Sequence, residues 1–351
     1  MSIIKSQSKE KTDVTMSYKG YVFCLKFTFL APLMLMFQLL SAQDFSGLEK
    51  IMEQRKSQFG GNMAVAVWKD TLLFHKATGE EFNLNTQLPV GCASAWFTAA
   101  LTMTFVEQGK LDLDDPVAKY LPIFATYAKS YLTIRHCLAN TTGIEPDKGG
   151  VQKFFQRTKF ASLEEEVNSF AKREIKNNPG EVFYYNSIGT SIVGRVLEVV
   201  GKKSFERLMA DRVFRPLGMK RTRFISETGA IDPFAGAEST AGDCVKFLAM
   251  LLNNGTLGAK KILSPESIKE MQKIQTGNAK ILFVPKHSEG AHYGLGNWIM
   301  APNMFASPSL SGGYPFIDVN KKFGCMILGV AKKEDDPKVY ADIVEELERV
   351  L

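Results

Sequence analysis

The chain carries five cysteines and four histidines, and one of them, Cys92, stands where a nucleophile can work. It precedes the apolar run 93–107, which reads as a helix. A helix N-terminus favours negative charge and so lowers a thiol pKa. A thiol also needs less activation than a hydroxyl. The chemistry open to such a residue is acyl transfer, provided a base takes the proton. No base is visible nearby: no Lys or Arg occurs between Lys76 and Lys110. His75, His136, His287 and His292 are scattered, and only folding can bring His287 or His292 to the thiol. The plainer reading of Cys92 is a small buried thiol, and both readings stay open at this point.

The remaining candidates read as structural. Cys137, Cys244 and Cys325 have small or apolar neighbours and are expected to be buried free thiols, although disulfides are open to an exported chain. The Cys and His spacings fit neither a zinc site nor a C-x-x-C pair, so no metal and no cofactor is expected. Asp114-Asp115-Pro116 reads as a turn, and His136 as a residue that caps or packs in a helix.

The elements that must position Cys92 follow from periodicity. Phe45, Leu48, Ile51 and Met52 predict a helix over 44–58, closed by Gly60-Gly61. Met63–Trp68 and Leu72–Phe74 predict a β-hairpin. Residues 93–107 are apolar on nearly every side, which predicts a buried helix. From Leu111 to Pro233 the pattern is helical with loops. Ile188, Ile192, Val193, Val196, Leu197 and Val200 share one helix face, and Phe205, Leu208, Met209 and Val213 share another. Asp243–Leu252 continues the helical pattern, and Ser264-Pro265 is a cap with Pro at the first helical position. Tyr293–Met300, Gly313–Val319 and Phe323–Val330 predict three strands, and Pro337–Leu351 a closing amphipathic helix. Strands, helices, then strands again predict an α/β part built from residues 44–108 and 241–351, with a mainly helical part, 109–240, between them. A cleft between two such parts is a usual place for a small-molecule site.

The N-terminus stands apart. Lys5, Lys9, Lys11 and Lys19 precede an apolar stretch from Phe27 to Leu40, which ends in Ser41-Ala42-Gln43. That predicts a secretory signal peptide over 1–43, with Met16 as an alternative start. A retained membrane anchor is the other reading, disfavoured by length and by Pro32. The expected location is periplasmic or secreted, and membrane association is expected only through an uncleaved signal. Residues 1–43 hold five Lys and two acids, so the rest of the chain keeps +3 of the net +6. With no basic block, nucleic acid is not an expected partner.

Several phrases together carry a resemblance. Val106-Glu-Gln-Gly-Lys-Leu-Asp-Leu-Asp-Asp-Pro-Val-Ala-Lys-Tyr-Leu-Pro122 resembles the segment after the nucleophile helix in class C β-lactamases and related D-alanyl-D-alanine carboxypeptidases and esterases. Leu132-Thr-Ile-Arg-His-Cys-Leu138 with Thr142-Gly143, Phe214-Arg-Pro-Leu-Gly-Met219 and Glu238-Ser-Thr-Ala-Gly-Asp243 continue it in order. Tyr293-Gly-Leu-Gly-Asn-Trp298 and Gly313-Tyr-Pro-Phe-Ile-Asp318 fall where that family's last strands lie. The chain thus resembles the penicillin-binding-protein/β-lactamase family of serine hydrolases over residues 44–351. The resemblance implies a β-lactamase/transpeptidase-like α/β (α+β) fold: an antiparallel sheet flanked by helices, with an inserted mainly helical domain.

It also implies acyl transfer by a Ser, a Lys three residues later, a Tyr-x-Asn motif and a Lys/His-x-Gly strand. Residues i and i+3 share a helix face, which is why the Lys amine meets the Ser oxygen. This sequence departs at each place. The nucleophile position holds Cys92 and the base position Ala95, and Ser94 cannot replace them because its own i+3 neighbour is Phe97. In Pro179-Gly-Glu-Val-Phe-Tyr-Tyr-Asn-Ser-Ile-Gly189, fixed by Gly180 and Gly189, Tyr185 is kept and Ser187 takes the Asn position. Asn186 is expected to point elsewhere. Ser307-Pro308-Ser309 occupies the third motif without a cation or Gly, and Leu310 would give the second oxyanion N–H. The expectation is an exported, degenerate homologue that holds a peptidoglycan-derived peptide, another small ligand or a partner in the cleft without hydrolysing it. The alternative is a hydrolase using Cys92.

Overall fold

The structure is a computed structural model that describes residues 43–80, 82–144, 160–226, 229–309, 312–330 and 337–351. The signal segment therefore lies outside the described residues, apart from Gln43. So does Leu310. No helix among the described residues is long and apolar enough to cross a membrane. Residues Phe45–Leu351 form one compact unit.

In chain order the unit opens with helix α1 (Ser46–Arg55) and the hairpin β1 (Met63–Lys69) and β2 (Thr71–Thr78). Asp70 turns the hairpin at φ +60. Helix α2 (Ser94–Val106) follows, then α3 (Ile134–Leu138), α4 (Leu163–Lys172), the short strand β3 (Val182–Tyr184), α5 (Ile188–Gly201) and α6 (Phe205–Met209). A turn of π-helix continues α6 through Phe214. Helices α7 (Ala241–Leu252) and α8 (Pro265–Met271) lead to β4 (Lys280–Phe283). The chain ends with β5 (His292–Tyr293), β6 (Trp298–Ala301), β7 (Met304–Ala306), β8 (Gly313–Asp318), β9 (Phe323–Gly329) and α9 (Pro337–Val350).

Seven strands make one antiparallel sheet in the order β5-β6-β7-β8-β9-β1-β2. Its strands come from both ends of the chain. Alternation sorts their side chains onto two faces. Met63, Val65, Val67, Cys325 and Ile327 pack on Leu48 and Met52 of α1 and on Ile343 and Leu347 of α9. Ala64, Ala66, Ile317, Met326 and Leu328 face a larger core that includes α2 and α7. With both faces covered, every residue of β8 and β9 is buried. That explains why these strands read as continuous apolar runs.

The local signals act as their chemistry predicts. The Ser264 side chain accepts from the Ser267 N–H, with Pro265 at the first position of α8. Thr133 and His136 form a capping box at α3, so His136 caps. Asp115 closes its turn by accepting from the Asp112 N–H at 2.8 Å and from Lys119 at 2.7 Å. Asp114 pairs with Arg135. Neither carboxylate is poised for catalysis.

The strand expected over Tyr293–Met300 is two strands. Gly294–Asn297 breaks it, with Gly296 at φ +73, and the Asn297 amide donates to the carbonyls of Met271 and Leu295. Only a glycine fits at 296: a Cβ there would lie 2.5 Å from the Ala95 carbonyl oxygen. Strand β7 was not expected, because three residues are too few to show a period.

Helix α5 is central to the helical part and buries Ile188, Ile192, Val193, Val196 and Leu197. Gly189 lets α5 approach α3, since a Cβ there would lie 2.0 Å from the Cys137 carbonyl oxygen. Gly189→Ala is therefore expected to lower the unfolding free energy by about 1–3 kcal/mol, the usual cost of overpacking, read as a shifted midpoint in urea denaturation. An unchanged midpoint would show that α3 and α5 can part without cost.

Candidate active site

Cys92 sits in a single 3-10 turn, Gly91–Ala93, at the head of α2. Gly91 takes φ +56 to enter that turn. The adjacent hydroxyl of Ser94 is structural: it donates to the Gly91 carbonyl at 2.7 Å and accepts from the Ala237 N–H at 3.0 Å. It ties the turn to the strand leading into α7 and is wholly buried.

The chain brings most of the sequence-predicted site together. The Tyr185 hydroxyl and the Ser309 side chain lie near enough to the Cys92 thiol to act on its ionisation. Ser307 Oγ donates to the Cys92 carbonyl at 3.2 Å. Ser309 spends its own N–H on the Gly313 carbonyl at 2.7 Å. The third-motif strand thus runs beside Cys92. Ala95, one helical turn on from Cys92, lies in the same cluster and offers only a methyl group. Ser187 stands at the start of α5 without capping it through its side chain. Asn186 turns to the backbone, accepting from the Ile188 N–H and donating to the Tyr184 carbonyl, both at 2.8 Å. Leu310 lies outside the described residues.

Sequence reasoning missed what covers these groups. Phe183, Tyr185, Phe234, Tyr293 and Trp298 close around Cys92 and Ala95. The Tyr185 ring meets those of Trp298, Phe234 and Tyr293 at 5.0, 5.1 and 5.7 Å. Cys92 is 4% exposed, and Tyr185 and Trp298 are 1% exposed. The place where an acyl group would react is a closed aromatic cluster. Tyr293 and Trp298 were visible as parts of a family phrase. Phe234, from the Asp232–Ala235 loop, carried no signal of this role. His287 does arrive by folding, near Pro308 of the third-motif segment, which acts on its ionisation. His292 is exposed.

Burial sets the electrostatics. It pushes the Cys92 thiol up from the ordinary 9.0 to about 12, and the Asp232 carboxylate adds to the rise; the neighbouring polar groups of Tyr185 and Ser309 offset part of it. The Tyr185 hydroxyl is held well above its ordinary range by burial first, then by Cys92 and Tyr293. The His287 imidazole is pushed down to about 4 by burial. The helix N-terminus therefore does not make a thiolate here. Desolvation outweighs it, and in this conformation neither group of the Cys92–Tyr185 pair is ionised near neutrality. All four cysteines of the described chain are free and buried. No cluster of His, Cys, Asp and Glu among the described residues could hold a metal.

A thiol with a raised pKa stabilises the fold fully below its unfolded value and loses that contribution as pH rises through its folded value. The Cys92 window thus runs from about 9 to about 12. Its slope is about 1.4 kcal/mol per pH unit. Cys92→Ala is expected to flatten the fall in thermal stability between pH 9 and 11 relative to the unchanged chain. Parallel curves would mean that the thiol is not protected by the fold.

A family model described as Beta-lactamase matches residues 48–337. Penicillin-binding protein 4 of Amycolatopsis lactamdurans is 24% identical over 309 residues, spanning 78% of this chain and 80% of that protein. Protein flp of Staphylococcus aureus strain MW2 is 26% identical over 142 residues, spanning 40% of this chain and 28% of that protein. Among solved structures, a putative beta-lactamase from Bacteroides dorei DSM 17855 superposes with a TM-score of 0.78 at 27% identity, covering 88% of this chain and 99% of that one. An octameric penicillin-binding protein homologue from Pyrococcus abyssi gives a TM-score of 0.72 at 23% identity, covering 87% of this chain and 77% of that one. At that identity the second likeness concerns the fold alone.

Proposed function

The chain belongs to the beta-lactamase family of penicillin-binding-protein-related serine hydrolases, and from that membership we propose that it is an exported member that binds rather than hydrolyses. The single observation that carries this reading is the Cys92–Tyr185 pair. A neutral, buried thiol faces a neutral, buried phenol, and Ala95 stands one helical turn away where an amine would be needed. Loss of a general base alone costs about 10²–10⁴-fold in rate. The occupants that fit the reading are a peptide, a cell-wall fragment or another small ligand at the former cleft. The basic segment before Phe27, the apolar stretch to Leu40 and the small residues Ser41 and Ala42 support export to the periplasm or beyond.

One observation favours a second reading, a hydrolase with a thiol nucleophile. Tyr185 shares a buried cluster with Cys92 and acts on the ionisation of its thiol, so it stands where a proton acceptor would. To accept that proton Tyr185 must first be a tyrosinate, and its surroundings oppose this. The non-hydrolytic reading is therefore preferred.

Intact mass spectrometry after incubation with benzylpenicillin separates the two. The expected outcome is an unmodified chain, with p-nitrophenyl acetate hydrolysed no faster than in buffer. A stable acyl adduct mapped to Cys92 would overturn the proposal.

A further inference from the structure

A cavity lies beside the aromatic cluster and shares none of its residues. It measures about 80 Å³ and sits between the 140–144 loop, Lys176 and Asn177, and the strands β3 and β4. Alternation along β3 separates the two places. Phe183 and Tyr185 belong to the cluster around Cys92, whereas Val182 and Tyr184 line the cavity. A single water needs about 10–15 Å³, so a group of a few heavy atoms can enter.

The loop is fastened through its backbone. Ile144 bridges Ile175, and the Lys176 N–H donates to the Gly143 carbonyl at 3.2 Å. The Gly180 N–H donates to the Thr141 carbonyl at 2.8 Å, and the Tyr184 N–H to the Asn140 carbonyl at 3.0 Å. Gly143 takes φ +71, and a Cβ there would lie 2.0 Å from the Asn177 carbonyl oxygen. One side chain of this fixed loop has an unmet bond. Asn140 is 3% exposed. Its Oδ1 accepts from the Asn186 N–H at 3.2 Å, which sets the orientation of the amide. Its Nδ2 is then a donor, and it is buried without a hydrogen-bond partner. A buried donor left unpaired is costly, and an acceptor placed in the cavity removes that cost.

The rest of the wall decides what carries the acceptor. Thr142 Oγ1 accepts from the Ile144 N–H at 3.2 Å, which leaves its own proton to donate. The buried side chains of the wall, Asn140, Thr142, Ile144 and Val182, carry no charge. Leu282 is 46% exposed and Lys176 is exposed, so both stand at the mouth. A carboxylate at the floor would lose its hydration without gaining a cation. A neutral carbonyl beside a small alkyl group meets both needs: its oxygen takes the donors, and its alkyl part takes the apolar wall.

We propose that this cavity is a binding site for a small N-acyl group of acetamido size, its carbonyl oxygen accepting from Asn140 Nδ2 and its methyl group lying against Ile144 and Val182. The site goes beyond the non-hydrolytic reading and does not depend on it, because Cys92 and Tyr185 take no part. Acetylated amino sugars and N-acylated peptides both carry this group.

The test is saturation-transfer NMR on the native protein. The probes are N-acetylglucosamine and N-acetylalanine methylamide, with glucosamine and alanine methylamide as controls that lack the acetyl group. Transfer is expected to centre on the acetyl methyl of at least one probe, to fall on adding acetamide and to resist acetate. The tighter probe tells a sugar source from a peptide source. Asn140→Asp keeps an acceptor for the Asn186 N–H and removes the donor, and it is expected to weaken binding about tenfold, the effect of one hydrogen bond. Because that change buries a carboxylate, Leu282→Trp is the second variant. It fills the mouth from an exposed position and is expected to weaken binding by a similar factor with an unchanged urea midpoint. No transfer to either acetyl probe would overturn the site and leave water as its occupant. Binding that is indifferent to Leu282→Trp and to Asn140→Asp would overturn it as well. Acetate that competes as well as acetamide would overturn the ligand class.

Discussion

Helix α2 has no side that faces water, and its neighbours must therefore all present apolar surface to it. Every residue from Ser94 to Phe105 is buried. Trp96 and Phe97 meet Phe247 of α7 edge-on at 6.0 and 4.7 Å, and Phe97 meets Phe214 at 5.4 Å. The helix thereby joins the sheet part to the helical part. Two of its hydroxyls are satisfied internally: Thr98 donates to the Pro233 carbonyl and Thr102 to the Thr98 carbonyl. Because α2 is fixed on all sides, the turn at its head is fixed too, and Cys92 has little freedom of its own. What varies around Cys92 must come from the elements placed over it.

The same burial decides the chemistry at the head of the helix. A helix N-terminus stabilises an anion by about 0.3–1 kcal/mol, rising to ~2 in favourable partly buried geometry. Raising a thiol from 9.0 to about 12 corresponds to roughly 4 kcal/mol against the thiolate. Desolvation is the larger effect. The thiol could become a useful nucleophile only if water or a cation entered the cluster, and the described surroundings of Cys92 and Ala95 are aromatic rings and hydroxyls.

Much of the architecture was legible because it is written in local patterns. The apolar run 93–107, the alternation in Met63–Val67 and the Ser264-Pro265 cap each depend on near neighbours in sequence. So did the antiparallel α/β fold, carried by ordered phrases from Val106 to Asp318. The site was partly legible. Cys92, Tyr185, Ser307 and Ser309 meet as the motif positions implied, and Asn186 turns to the backbone as the register required. Strand β6 was misjudged because Gly294–Asn297 is apolar enough to pass for strand, while its break depends on the Ala95 carbonyl some 200 residues away in sequence. The closure of the site was not legible. It depends on Phe234, Phe283 and Trp298 converging from separate loops and strands, and a single aromatic residue in a loop carries no sign of where it packs. The placement of His287 against Pro308 is of the same kind.

The missing amine and the aromatic closure are best understood together. Position 95 is 1% exposed and touches the ring cluster, with Gly296 pressed against its carbonyl. A lysine there would have to bury an ammonium group among Phe183, Tyr185 and Trp298, and an unpaired buried charge is among the costliest features a core can hold. Either the rings must stand apart and admit water, as a working hydrolase requires, or the charge must go. With Ala95 the charge is gone, and the rings can pack at 4.8–5.7 Å and gain from edge-to-face contact. The closed cluster then buries the thiol and raises its pKa further from use. The absence of an amine at position 95, the closure of the rings and the raised pKa of the thiol are in this sense one physical arrangement. Reversing it at position 95 alone would place a charge in a site that is built to exclude one.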